Sequence, residues 1–215
     1  MGAVEKTAEF VRKKFATESS GHDWWHMYRV WQLAKHIAKE EKNVNLLIVE
    51  LAALLHDIAD FKFNKGDFEA GPKATRKWLK SLKVDEEIIV HVEEIVRNIS
   101  YKGALIKPNL KTKEGKIVHD ADKLDAIGAI GIARVFAYSG SVGIPIFIPG
   151  LEPATPEKKP KNLIITTSSV NHFHEKLLLL KGRMYTKTGK KMAKQRHRYM
   201  EEYLREFHKE WEGQL

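Results

Sequence analysis

Three short words in this chain hold side chains whose types and spacing suit a metal: His26, the pair His56-Asp57, and Asp122. His56 and Asp57 end the apolar run Leu51-Ala52-Ala53-Leu54-Leu55. Ionisable groups at the end of a buried helix are costly unless they are paired or bound to a cation. One turn earlier stand Ala52 and Ala53, small enough to leave room beside the imidazole. His26 lies four positions before Val30, seven before Leu33 and eleven before Ile37, so it shares their inward face. Asp122 shares a face with Val118, Ala126 and Ala129 and also points inward. A buried carboxylate and two buried imidazoles on three helices call for a cation among them. That nitrogen and oxygen mixture suits Mn, Fe, Co, Ni or Zn, and more weakly Mg. Taken singly, each word has an ordinary reading: a solvated helix end or a satisfied core histidine.

Helices must position these groups. Apolar spacing predicts one helix from Asp23 to about Glu41, with Ser19, Ser20 or Asp23 as N-cap, and a second that Asn45 caps and that runs through Leu46, Val49, Ala53 and His56. Asp85 opens a third, with Ile88, Val92, Ile95 and Ile99 along one face. Another is predicted from about Glu114 to Tyr138, and a last long one from Lys190 to Trp211. The N-terminal stretch reads as a short amphipathic helix, not a signal sequence. Alternating strand patterns are scarce, and Ile144 to Pro149 is the best extended run. The expectation is an all-α, single-domain helical bundle over 1–215, with a metal-binding core at about 22–138 and a basic helical part at about 163–212. Long loops are expected near 102–113 and 139–162, the second rich in proline and glycine.

Composition narrows the chemistry. A chain of 215 residues suits one domain of roughly 100–200. There is no cysteine, which excludes disulfides, thiolate nucleophiles, zinc fingers and iron–sulfur clusters. No apolar run approaches the roughly 18 residues of a membrane span, so the expectation is a cytoplasmic protein without membrane attachment. Lys plus Arg is 37 and Asp plus Glu is 28, a formal charge of 37 − 28 = +9. That balance favours an anionic partner without saying which.

The order of His, then His-Asp about thirty residues on, then Asp about 65 later resembles the HD-domain metal-dependent phosphohydrolases. It is most similar to their short stand-alone bacterial type. The surrounding words agree: HMYRV at His26, LLHDIAD at His56, DADKLDAIGAIGIAR around Asp122, then NHFHEKLLLLK, TKTGKKMA and QRH. The resemblance spans about residues 15 to 212. It implies that His26, His56, Asp57 and Asp122 are metal ligands and that Asp57 can bridge to another metal. It also implies that Asp60 orients the attacking water and that Lys62 meets a phosphate. Ser100 and Lys102, in the family-like word Ile99-Ser100-Tyr101-Lys102-Gly103, would line the pocket. Asp120 and Asp125 are rival carboxylates, with a cap or salt bridge the better reading for Asp120. His91 is a further ligand in two-metal members and otherwise a structural histidine.

A divalent ion lowers the pKa of a bound water from 15.7 toward about 7 and neutralises phosphoryl oxygens. A polyanionic substrate then needs cationic side chains around it. Residues 181 to 198 supply eight of them with no acid between: Lys181, Arg183, Lys187, Lys190, Lys191, Lys194, Arg196 and Arg198. Most of these also read as a solvated face. Arg196, within the family-like word, is the candidate substrate contact. The resemblance implies a nucleotide or other phosphorylated small molecule as substrate, as with a nucleoside triphosphate pyrophosphohydrolase or a nucleotidase. The alternative is a basic module that binds nucleic acid or nucleotide and uses its metal structurally, with Tyr185 and Tyr199 as its only interleaved aromatics. Two imitations fail: the Gly182 to Lys191 stretch lacks the Ser or Thr that a phosphate loop needs after its lysine, and His22 to His26 has Asp23 where a zinc protease has Glu.

Overall fold

The computed structural model describes residues 1–16, 23–59, 67–99, 108–154 and 167–214. They divide into two compact units, Met1–Asp122 and Lys123–Leu215. Every regular element among the described residues is helical. No helix among them is long and apolar enough to cross a membrane.

In the first unit, α1 (Ala3–Lys14) and α2 (Trp24–Glu40) pack on α3 (Leu46–Leu55). Helix α3 is apolar on nearly every side, and Ile48, Val49 and Leu51 through Leu55 are all buried. A helix of that composition belongs in the middle of a core. Its ends follow from its caps. Asn45 Oδ1 accepts from the Ile48 amide at 3.4 Å. Position N3 is Ile48, which cannot complete a capping box, so the Asn45 amide is satisfied from elsewhere: Glu114 Oε1 accepts it at 2.9 Å. Next come α4 (Ala70–Ser81) and α5 (Glu86–Ile99), which pack on each other, α5 also meeting α3. Trp78 of α4 stacks on Phe10 at 3.9 Å and donates its indole N–H to Thr7 Oγ1 at 2.9 Å, fastening α1. The region predicted as a loop before residue 113 falls partly on 100–107, outside the described residues.

The helix predicted from 114 to 138 is two. Helix α6 (Lys113–Asp125) ends in a tightened turn, with the amides of Ala126 and Ile127 donating to Lys123 and Leu124 carbonyls. Helix α7 (Gly128–Ser141) starts afresh. Gly128 has φ +78, which a residue with a Cβ adopts only at a cost. Ala129, expected on the Asp122 face, is exposed because the helix has already ended. Gly131 matters for a different reason: a Cβ there would lie 2.3 Å from the Ala126 carbonyl oxygen. Backbone cannot yield as a side chain does. Gly131→Ala is therefore expected to destabilise the fold by about 2–3 kcal/mol, the upper part of the overpacking range. For a chain of this size that lowers Tm by roughly 4–12 °C. Calorimetry checks it, and an unchanged Tm would refute the clash.

The remaining elements of the second unit are α8 (Ser169–His172), a π-helical turn (Phe173–Leu177), a 3₁₀ stretch (Leu178–Arg183) and α9 (Lys187–Trp211). Phe173 is fully buried, stacks on Tyr203 with centroids 6.0 Å apart, and meets Phe136. The extended run at Ile144 forms no strand among the described residues. Its carbonyls cap a helix instead: Pro145 and Ile146 accept from the amides of Ser169 and Val170 at 2.9 and 3.0 Å. Those amides have no partner inside α8, so the run satisfies them. Asn171 and the buried Glu175 pin the following segment, through Leu151 O and the Ala154 amide. Of the loop predicted over 139–162, residues 139–141 belong to α7 and 155–162 lie outside the described residues.

Candidate metal centre

His26 sits in the first turn of α2. Asp23, the N-cap, accepts from the His26 amide at 2.9 Å, so one short motif starts the helix and fixes where the imidazole emerges. His56 is the residue that closes α3, still in helical conformation. Its Nδ1 lies 2.8 Å from the Ala53 carbonyl oxygen. A carbonyl can only accept, so Nδ1 carries the proton and the neutral ring keeps a lone pair on Nε2. Asp57 follows directly, and Asp122 projects from the last turn of α6.

These four residues, all in the first unit, converge. The two Nε2 atoms are 3.3 Å apart. Asp57 Oδ2 lies 3.5 Å from His56 Nε2 and 3.8 Å from His26 Nε2. Asp122 Oδ1 lies 3.8 and 3.9 Å from the nitrogens of His26 and His56. His26, His56 and Asp122 can each offer one donor atom so that all three lie within 4.8 Å of one another. Ligands about 2.1 Å from a common ion stand roughly 3.0–3.4 Å apart in octahedral or tetrahedral arrangements. For His26, His56 and Asp122 the observed separations are at or slightly above that range, so small side-chain adjustments would close these three on an ion, with Asp57 beside both imidazoles. The donors fit chemically too: imidazole with carboxylate suits a divalent transition ion. The imidazoles are buried, whereas the carboxylate side chains keep 16% and 20% of their exposure. One side of the group is therefore open.

The rival carboxylates have other company. Asp120 is buried with Oδ1 3.2 Å from His119 Nδ1. Asp125, in the second unit, accepts from Arg134 Nη1 at 2.9 Å. His91 Nε2 lies 3.7 Å from Glu114 Oε2, the carboxylate whose other oxygen caps α3. Glu114 and Arg134 were not singled out by sequence. The signal for Glu114 was the uncapped Asn45 amide, while an arginine in the apolar α7 pointed to Arg134. Arg196, on α9 in the second unit, is half-buried and donates through Nη1 to the Leu124 carbonyl. Its stem covers Gly128. Burial pulls its guanidinium below the usual pKa, and the Asp125 carboxylate offsets this in part. Lys194 is exposed. Asp60, Lys62, Ser100 and Lys102 lie outside the described residues.

Comparison with known proteins agrees with this geometry. A family model described as HD domain matches residues 24–127. YpgQ of Bacillus subtilis (strain 168) is 37% identical over 212 residues, covering 98% of this chain and 94% of the relative. An HD-superfamily hydrolase of Bacillus thuringiensis is similar in structure, with a TM-score of 0.75, 42% identity and coverage of 97% and 96% of the two chains. Bacillus subtilis YpgQ in complex with ADP aligns with a TM-score of 0.73 and 34% identity, over 96% of this chain and 97% of that one.

Proposed function

Since this chain belongs to the HD domain family and is a metal-dependent phosphohydrolase at that family level, we propose that its substrate is a nucleotide. The reaction proposed is hydrolysis of a phosphate ester or anhydride, as in cleavage of a nucleoside triphosphate to monophosphate and pyrophosphate or of a nucleotide to its nucleoside. The observation that carries this reading is the convergence of His26, His56 and Asp122, whose donor atoms lie within 4.8 Å of one another, with the part-exposed Asp57 beside both imidazoles. The ADP complex of YpgQ supports a nucleotide.

His26, His56, Asp57 and Asp122 would hold the ion. When bound, a divalent ion supplies acidity to a water and polarises a phosphoryl oxygen. The chain's own groups do the rest. The Ala53 carbonyl fixes the His56 ring and keeps its lone pair directed into the group. Asp57 brings a second oxygen that can reach another metal. Asp60 orients the attacking water and takes its proton as the new bond to phosphorus forms and the bond to the leaving group breaks. Lys62, Lys102, Ser100 and Arg196 meet phosphate oxygens. A structural metal in a nucleic-acid-binding module is the weaker reading, because such sites are usually closed by four ligands. The carboxylates here keep an open side.

Arg196 gives a direct check on the substrate assignment. One of its nitrogens donates to the Leu124 carbonyl, and the remaining donors of the fork are assigned in this proposal to a phosphate. Lysine, a compact point charge without the planar fork, does not reproduce that two-partner geometry. A charge-assisted contact of about 1.5–3 kcal/mol makes Arg196→Lys lose roughly 10- to 150-fold in kcat/KM. Lys194→Ala, on the exposed face, should lose little. Steady-state kinetics on both variants decides, and equal small losses would remove Arg196 from the substrate site. The reading as a whole is tested by metal-supplemented turnover against a nucleotide panel, with phosphate and pyrophosphate separated. Failure of every nucleotide, with other phosphate esters cleaved, would overturn it.

A further inference from the structure

Five cations on the first three turns of α9 share one solvent face: Lys187, Lys190, Lys191, Lys194 and Arg198. With 3.6 residues per turn, all five project within about 60° of Lys187. Each is exposed, and no hydrogen bond or ion pair engages their side chains among the described residues. One flank of the stripe is committed: Ala193, His197, Met200 and Leu204, about 80–140° round from Lys187, are buried. Arg196 is turned about 180° from Lys187 and does not belong to the stripe. The stripe also has an end, because one turn further Glu201 and Glu202 occupy the same face. At its start, Thr186 caps the helix, whose N-terminal partial charge adds to the positive field.

The shape of this stripe selects a partner. From Lys187 to Arg198 the helix rises about 16 Å at 1.5 Å per residue. One nucleic-acid strand carries a charge about every 3.4 Å, so the same length of strand presents about five phosphates to the five cations. A single nucleotide would need cations converging on one point, whereas these are spread along a convex surface. An anionic membrane fits less well, since interfacial helices bury an exposed apolar face in the headgroups. The apolar face of α9 is already inside the protein.

We propose that this face of α9 binds the phosphodiester backbone of a nucleic-acid strand. The inference stands apart from the hydrolase reading, and its test does not use turnover. Fluorescence anisotropy of a labelled single-stranded oligonucleotide is measured with the intact protein over a salt series. Five neutralised phosphates predict a slope of log K against log salt near −3.5, at about 0.7 per contact. Replacing Lys187, Lys190, Lys191 and Lys194 together by Gln should bring the slope to about −0.7. Lys194→Gln alone should reduce its magnitude by about 0.7. Far-UV circular dichroism verifies the fold, and if the fourfold variant does not fold, the Lys194→Gln slope decides. Absence of binding at about 50 mM salt overturns the proposal, as does an unchanged slope in the variants. Cosedimentation with phosphatidylserine vesicles while the oligonucleotide stays free would assign the face to a membrane and overturn it too.

Discussion

His56→Ala and Asp57→Ala are each expected to lose the divalent ion and to lower kcat by about 10³-fold or more. Each removes one of four donors that stand 3.3 to 3.9 Å from their neighbours. A metal's stabilisation of phosphoryl charge amounts to several kcal/mol, and each 1.36 kcal/mol is tenfold in rate. The two variants differ instructively. Asp57→Ala removes one charge from a part-exposed position. His56→Ala also leaves the Ala53 carbonyl without its imidazole partner at the end of α3, so an added loss of about 1 kcal/mol in stability is expected. Elemental analysis of metal per chain, beside thermal melting with and without added Mn, separates ligand loss from unfolding. Unchanged metal stoichiometry in both variants would remove these residues from the centre.

The inward placement of the candidate residues was legible where it rested on helical period, and the family's word order pointed to them as a set. His26 could be assigned inward because Val30 and Ile37 behind it are core residues, and both are buried. His56 and Asp57 were legible because an all-apolar run must be interior, so what ends it is held at the core's edge. The N-caps Asp23 and Asn45 were readable from residue type, since a short acceptor before an apolar period leaves little choice.

Other features left no period to read. Helix α4 buries Gly71, Pro72, Thr75 and Leu79, an inward face too small and too polar to register as apolar. The break between α6 and α7 was hidden because Ile117, Leu124 and Ile127 keep helical spacing across it. The interruption shows instead in the backbone: the tightened turn at Ala126 and Ile127, the positive φ of Gly128 and the close approach at Gly131. The basic run from Lys181 looked uniform as a string of charges. Folding it on α9 divides it, with Arg196 half-buried against Gly128 and five cations facing solvent. Charge type alone cannot make that division, because it depends on rotation about the helix axis.

Asp60→Asn is expected to slow hydrolysis by about 10²–10⁴-fold while the protein keeps its metal, the range typical of general acid–base help. Asparagine has nearly the size and hydrogen-bonding reach of aspartate but cannot take a proton from water. The substitution therefore tests proton transfer rather than packing. The position follows Asp57 by three residues in the sequence. The resemblance to the HD family implies an acidic role at that position, and the proposed role rests on that implication. Three outcomes distinguish the assignments. A large fall in kcat with full metal content supports a base that orients water. A fall accompanied by metal loss would make Asp60 a ligand instead. A decrease smaller than about threefold with metal retained would leave it without a catalytic role. Measuring kcat and KM separately adds a contrast with Arg196→Lys: loss of a phosphate contact that is equally strong in the ground state raises KM, whereas loss of the base lowers kcat.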